Sequence, residues 1–188
     1  MLNMDNIIKE VEYALDILFE PLKADCRDDS LSSDDKKQSE KVMRVNHMGE
    51  ICAQALYRGQ ALTINDSSLE KIIINMCDEE KSHLDMCNIR LSELSGRTSY
   101  LNSLWYLSSF MLGAYVGTLD KDKSLGFIYE TENQVETHLE EYADKLPITD
   151  NKSKDILSNI KTDETKHKNT AKKLGSIELD AKTKKMLK

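Results

Sequence analysis

Six side chains of metal-binding type recur along the chain in a duplicated pattern. The motif Glu-x-x-His occurs at 80–83 and again at 164–167, and a further glutamate precedes the two copies by 30 and 32 residues, respectively. The six residues are Glu50, Glu80, His83, Glu132, Glu164 and His167. Residues three apart share a helix face, so each motif can direct a carboxylate and an imidazole at one point. The repeated spacing predicts two related helix hairpins that carry the same three side chains.

This set of side chains is typical of ferritin-like di-iron bundles, in which two helices each supply a glutamate and the other two each supply Glu-x-x-His. Carboxylates bridge two iron ions readily, and four of them balance two Fe(II) ions, while one imidazole per ion leaves room for oxygen. Without metal or protons, four glutamates facing one another in an apolar core would repel strongly. The alternative is six separate, solvated residues, which would make the duplicated spacing a coincidence. We therefore expect two Fe ions per chain, bound by these six residues.

The remaining histidines and the cysteines do not extend this pattern. His47 lies three residues before Glu50, and His138 lies six residues after Glu132. We expect each to support the fold or orient a ligand rather than bind metal. The four cysteines, which form no C-x-x-C pair, are Cys26, Cys52, Cys77 and Cys87. This spacing excludes a zinc ribbon, and in the absence of a signal-peptide signature it predicts reduced thiols in a cytoplasmic protein.

The composition predicts an all-α fold. The 188 residues include only 7 glycines and 2 prolines, so turns are few and elements are long. Helical periodicity predicts helices at about 4–24, 40–63, 69–94, 121–145 and 153–174. The polar stretch 26–39 is interpreted as a linker, which gives an N-terminal helix and linker at 1–39 and a ferritin-like domain at 40–188. The net charge of −7 argues against nucleic acid as a partner.

An uncharged stretch of 22 residues, 98–119, lies between the two predicted hairpins. In a helix, Asn102, Tyr106, Ser109, Gly113 and Gly117 share one face that is mostly small or polar. That face would let a neighbouring helix approach closely, whereas the opposite, apolar face needs a core, a lipid or a greasy ligand. Three alternatives stay open for this stretch: a buried bundle helix, a helix at a membrane interface, and a membrane-spanning helix.

Five short motifs make the chain resemble the demethoxyubiquinone hydroxylase family, and its bacterial branch in particular. They are RVNHMGE at 44–50, AQALYRGQ at 53–60, EEKSHL at 79–84, ENQVETHL at 132–139 and DETKH at 163–167. The resemblance covers roughly residues 40–188. The first motif together with two Glu-x-x-His motifs is specific to this family within the ferritin-like class.

The resemblance implies an enzyme that uses a di-iron centre and dioxygen to hydroxylate a polyprenylated methoxy-benzoquinol in ubiquinone biosynthesis. One iron would be bound by Glu50, Glu80 and His83, and the other by the three residues of the second hairpin. Glu80 and Glu164 would bridge the two ions, and no catalytic residue is implied beyond the ligands.

The resemblance also implies a peripheral membrane protein, here on the cytoplasmic face of the bacterial inner membrane. The stretch 98–119 would then be an additional apolar, membrane-associating helix in the crossover of a ferritin-like four-helix bundle, and a mouth for the quinol. Further expected partners are membrane lipid and a homo-oligomer or biosynthetic complex. The alternative function is a ferritin-like iron oxidase or storage protein, for which so apolar a stretch would be an aggregation liability.

Overall fold

The computed structural model describes residues 4–22 and 30–186, and within these ranges the chain is entirely helical. The helices are α1 Met4–Phe19, α2 Ser33–Thr63, α3 Ser67–Glu93, α4 Asn102–Gly117, α5 Lys121–Ala143, α6 Asn151–Lys173 and α7 Ala181–Met186. The all-α prediction is therefore confirmed. The chain divides into two compact units, the first ending at Thr118 and the second beginning at Leu119.

Helix α2 begins earlier than the sequence predicts. Ser32 is its N-cap, and the Ser32 hydroxyl accepts a hydrogen bond from the backbone N–H of Asp35 at 3.1 Å. Asp34 and Asp35 lie in the first turn, where negative charge is favourable to the helix dipole. Residues 33–39 are thus helical, and the prediction that they belong to a linker is wrong. The polar residues that suggest a turn are here the cap and first turn of a helix.

The other ends of the predicted helices agree more closely. Helix α1 ends at Phe19, earlier than the predicted position near 24. The predicted break before α3 is confirmed, since the Asp66 carboxylate accepts hydrogen bonds from the backbone N–H groups of Ser68 and Leu69. Residues 26–29 of the predicted linker, which include Cys26, lie outside the described residues.

In the first unit, α2 is the central helix. Helices α3 and α4 both pack along it, and α1 lies against α2 and α4. His47 of α2 contacts Asn88 of α3, and Gln54, later in α2, contacts Glu80, earlier in α3, so these two helices run antiparallel. Apolar side chains of all four helices pack together in a cluster that consists of Ile17, Ile51, Ala55, Leu84 and Tyr106.

Glycines let α4 approach the backbone of α2. A methyl group added at Gly113 would lie 2.0 Å from the carbonyl oxygen of Leu56, and one added at Gly59 would lie 2.1 Å from that of Phe110. Such distances are far below van der Waals contact, so only glycine permits this approach. Asn102 and Tyr106 on the same face of α4 are buried. The prediction of a small face for close helix packing is confirmed.

The opposite side of α4 remains exposed. This α4 apolar face consists of Leu101, Leu104, Trp105, Leu107, Met111 and Tyr115. Leu107, for example, keeps 59% of its surface accessible. Within the described part of the chain, no helix combines the length and the apolar character that crossing a bilayer requires.

The second unit is built on a hairpin of α5 and α6. Contacts between Glu140 and Lys161 and between Glu136 and Thr165 show that the two helices run antiparallel. Asp150 caps α6 by accepting a hydrogen bond from the backbone N–H of Ser153 at 3.0 Å. The segment after α6 returns to the start of α5, and α7 follows it.

We predict that Gly113→Ala destabilises the iron-free protein by about 1–3 kcal/mol, because the new methyl group must push α4 away from the Leu56 carbonyl. Urea denaturation followed by circular dichroism measures the change. Gly49→Ala is the matched control, since a methyl group there meets nothing within 4 Å and alanine favours the helix. Equal stability of the two variants would contradict the close packing of α4 on α2.

Candidate metal centre

The α2–α3 hairpin brings together three of the candidate ligands. Glu50 lies on α2, and Glu80 and His83 lie on α3. The His83 Nδ1 atom is 3.0 Å from the Glu80 Oε2 atom and 3.7 Å from the Glu50 Oε2 atom. One potential ligand atom from each residue falls within 4.8 Å of those of the other two. We call these three residues the first half-site.

The α5–α6 hairpin builds the same arrangement a second time. Glu132 lies on α5, and Glu164 and His167 lie on α6. The His167 Nδ1 atom is 3.2 Å from the Glu164 Oε2 atom, and the potential ligand atoms of the three residues again fall within 4.8 Å of one another. We call these residues the second half-site. The three residues of each half-site thus belong to one unit.

The spacing in the sequence follows from the geometry of an antiparallel hairpin. Glu50 and Glu80 each lie 15 residues from Asn65, which sits in the turn between α2 and α3. Glu132 and Glu164 each lie 16 residues from Ile148, in the turn between α5 and α6. In two helices of equal rise per residue, positions equidistant from the turn come to lie opposite each other. The third residue of each half-site then lies on the same helix face, three positions further on.

Both half-sites place carboxylates where water cannot solvate their charge. All six side chains are buried, with at most 4% of any residue exposed. A buried carboxylate is stable only when its charge is paired or neutralised. Each half-site holds two carboxylates, and one divalent cation would balance their combined negative charge. Carboxylate oxygens with one imidazole nitrogen form the kind of donor set that suits Fe(II) in non-haem proteins, so the residues present fit an iron ion in each half.

The two other histidines lie outside both half-sites. His47 is buried, and its Nε2 atom is 2.8 Å from the Asn88 Oδ1 atom. Burial lowers the pKa of His47 to about 4, so this imidazole is neutral at physiological pH. His138 is exposed and stacks on Tyr142, with 4.2 Å between the ring centroids. Neither belongs to a group of potential metal ligands among the residues that the structure describes.

The cysteines within the described residues are free thiols, as predicted. Cys77 and Cys87 are buried, and Cys52 is partly so. Burial raises the pKa of Cys77 to about 12 and also raises that of Cys87, so both thiols stay protonated. They therefore act as small apolar side chains and weak hydrogen-bond donors rather than as thiolate ligands.

Sequence reasoning missed two polar residues that support the first half-site. Gln54 is fully buried, and its side-chain amide donates a hydrogen bond to the backbone carbonyl of Glu80 at 3.3 Å. The hydroxyl of Tyr13 donates in turn to the Gln54 Oε1 atom at 2.7 Å. A signal for Gln54 exists, because it lies four residues after Glu50 and so on the same face of α2. Nothing in the sequence connects Tyr13 with either residue.

Known proteins with similar sequences are hydroxylases. The family described as "Ubiquinone biosynthesis protein COQ7" matches residues 37–187. The chain is 39% identical over 186 residues to a 3-demethoxyubiquinol 3-hydroxylase of Bordetella parapertussis, covering 95% of this chain and 84% of that protein. Proteins with the same name from Xanthomonas oryzae pv. oryzae and Aromatoleum aromaticum are 40% and 42% identical over 185 residues, with 95% of this chain and 85% and 90% of theirs covered. The chain therefore belongs to the ubiquinone biosynthesis protein COQ7 family.

Proposed function

We propose that this protein is a 3-demethoxyubiquinol 3-hydroxylase, a di-iron monooxygenase of ubiquinone biosynthesis. The observation that carries the proposal is the pair of buried half-sites, each with two carboxylates and one imidazole. They occur in a chain that is 39–42% identical, over 95% of its length, to proteins named for this reaction. The substrate would be a polyprenylated methoxy-benzoquinol, and the co-substrate dioxygen.

The proposal includes the joining of the two half-sites into one di-iron centre. Helices α2, α3, α5 and α6 would form a ferritin-like four-helix bundle, with Glu80 and Glu164 bridging the ions. Its support is the equivalence of the two hairpins, since each turn is flanked by the same ligands at nearly the same distance. Two Fe(II) ions would balance four buried carboxylates, which removes the repulsion that the ligands would otherwise suffer.

Two iron ions bound in this way would supply the activation of dioxygen that hydroxylation of a ring carbon requires. The protein's own residues hold and enclose the site. With Glu80 and Glu164 shared, four protein ligands per ion would leave the remainder of each coordination sphere open. Ile51, Ala55 and Leu84 belong to an apolar cluster beside the first half-site. These side chains exclude water, which strengthens the electrostatic interactions of the buried carboxylates. Specificity then depends on how the quinol ring is placed, and no nucleophile or general base is needed.

We further propose that the protein associates peripherally with the cytoplasmic face of the bacterial inner membrane through the α4 apolar face. Most large exposed apolar residues in the described part of the chain lie on α4 and α1 or next to α4. On α1 they are Met4, Ile7, Ile8, Val11, Leu15 and Phe19. Exposed apolar residues in such number are costly in water and are stabilised by contact with lipid. A prenylated quinol stays in the bilayer, so its hydroxylase would need such a surface.

For the metal centre, we predict that the wild-type protein binds two irons per chain after anaerobic loading. Glu80→Ala and Glu164→Ala should each lose most of the bound iron, because each removes a bridging carboxylate. Iron analysis after desalting measures this. The matched controls Glu79→Ala and Glu141→Ala remove exposed carboxylates and should retain two irons. Retention of two irons by both Glu80→Ala and Glu164→Ala would contradict the ligand assignment.

For the reaction, we predict that the new ring hydroxyl carries oxygen from dioxygen. The iron-loaded protein is given a demethoxyubiquinol analogue under ¹⁸O-labelled dioxygen, and the product mass is measured. One labelled atom per product is expected, and none should appear when only the water is labelled. Label from water, or iron oxidation that proceeds equally without quinol, would favour an iron oxidase or storage protein instead.

For the membrane, we predict that the protein floats with vesicles of phosphatidylethanolamine and phosphatidylglycerol in a density gradient. The double variant Leu107→Glu and Met111→Glu should bind them at least about tenfold less, because two exposed apolar contacts are lost and two charges are added. Ile148→Glu alters a residue that is 88% exposed outside α4 and should bind like the wild type. Failure of the wild-type protein to bind vesicles would contradict the proposed membrane role.

A further inference from the structure

Helix α1 reaches the first half-site through apolar packing near its C-terminal end and through a set of polar contacts. Only Ile17 of this helix is buried, and it packs among Ile51, Ala55 and Leu84. Ile51 follows the ligand Glu50, and Leu84 follows the ligand His83. The buried end of α1 therefore packs against the two helical turns that carry the ligands.

A hydrogen-bonded chain leads from α1 to the backbone of a ligand. The Tyr13 hydroxyl donates to the Gln54 Oε1 atom at 2.7 Å, and the Gln54 amide donates to the Glu80 carbonyl oxygen at 3.3 Å. The Tyr13 oxygen also lies 3.5 Å from the Cys77 Sγ atom, one turn before Glu80. Tyr13 thus contacts α2 at Gln54, one turn after Glu50. It contacts α3 at Cys77, one turn before Glu80.

An ion pair holds Tyr13 in this place. The Arg58 guanidinium donates to both carboxylate oxygens of Glu10, with an Nε–Oε2 distance of 2.8 Å and an Nη2–Oε1 distance of 2.5 Å. The same guanidinium lies over the Tyr13 ring, 4.4 Å from its centroid. A bidentate pair of this kind fixes orientation as well as distance. Helix α1 is thus anchored to α2 by the Glu10–Arg58 pair, by the guanidinium over the Tyr13 ring, and by the Tyr13 hydroxyl.

We propose that α1 is a strap that fixes the relative position of the ligand-bearing turns of α2 and α3, with Tyr13 as its positioning residue. The proposal rests on the proposed function, because it assigns α1 a role in the same metal centre. Tyr13 touches neither metal nor substrate. It acts through Gln54, which spans the gap between α2 and α3 beside Glu50 and Glu80.

The physical reason for a strap lies in the ligands themselves. Glu50 and Glu80 are on separate helices, and two ionised carboxylates at this distance repel each other unless a cation lies between them. A hydrogen bond between the two helices at this level opposes their separation and preorganises the half-site. The link is also independent of pH near neutrality, because burial raises the pKa of the Tyr13 hydroxyl and that of the Cys77 thiol.

The test compares two tyrosines of the same apolar region in the full chain. Tyr13→Phe removes the hydroxyl that links α1 to Gln54. Tyr106→Phe is the matched control, because the Tyr106 hydroxyl is buried and finds no hydrogen-bond partner within the described residues. Anaerobic Co(II) titration is the main measurement, since the visible absorption of Co(II) reports ligand geometry at the metal. Unfolding by urea without metal, and kcat and KM of the iron-loaded protein, are measured on the same variants.

For Tyr13→Phe we expect one of the two metal-binding steps to weaken by about three- to tenfold, the change typical for loss of one hydrogen bond. The Co(II) absorption of that step should change in intensity, and kcat should fall while KM for the quinol stays the same. Tyr106→Phe should match the wild type in all three respects. Arg58→Gln, which releases the anchor of α1, should shift the same metal-binding step in the same direction.

Two results separate failure of the strap from failure of the proposed function. If Tyr13→Phe lowers only the stability in urea and leaves the Co(II) affinities and absorption unchanged, α1 stabilises the fold and is not a positioning element. The same conclusion follows if Tyr106→Phe changes metal binding as much as Tyr13→Phe. A wild-type protein that binds no metal would contradict both the proposed function and the strap.

Discussion

Carboxylates removed from water must be neutralised, and this requirement governs the two hairpins of the protein. Each hairpin buries two glutamates beside one histidine. The burial of apolar residues can drive helices together, but it cannot balance two negative charges. A divalent cation in each half-site would balance them, and metal binding would then be coupled to folding.

The rest of the first unit can be understood as support for the helix that carries Glu50. Helix α3 brings the other two candidate ligands, and α4 packs so closely on α2 that Gly59 and Gly113 are required at the contact. Helix α1 adds an ion pair and a hydrogen bond on another side. Because α2 is held on several sides, the Glu50 carboxylate has little freedom to move away from Glu80 when the charge is not balanced.

Most local features of this structure could be predicted from the sequence. Duplication of Glu and Glu-x-x-His identified the residues that come together within each hairpin, because helix periodicity and turn position depend only on neighbours along the chain. The small face of α4 could be predicted for the same reason. The start of α2 could not, since Ser32 and Asp35 form a capping hydrogen bond in the structure, while serine and aspartate are equally typical of a linker.

Contacts between distant segments lay beyond prediction, and α1 shows why. Its apolar residues recur with helical periodicity, which normally indicates the face that a helix buries. In the structure, Ile8, Val11 and Leu15 are exposed, whereas Glu10 and Tyr13 make the contacts with α2. Periodicity reports that a helix has an apolar side, but it does not report whether that side meets protein or another apolar medium. Ile17, Ala14 and Leu18 pack on the core and Glu10 and Tyr13 add polar contacts, whereas Ile8, Val11 and Leu15 stay available for such a medium. One helix can therefore serve the metal centre and the surface together.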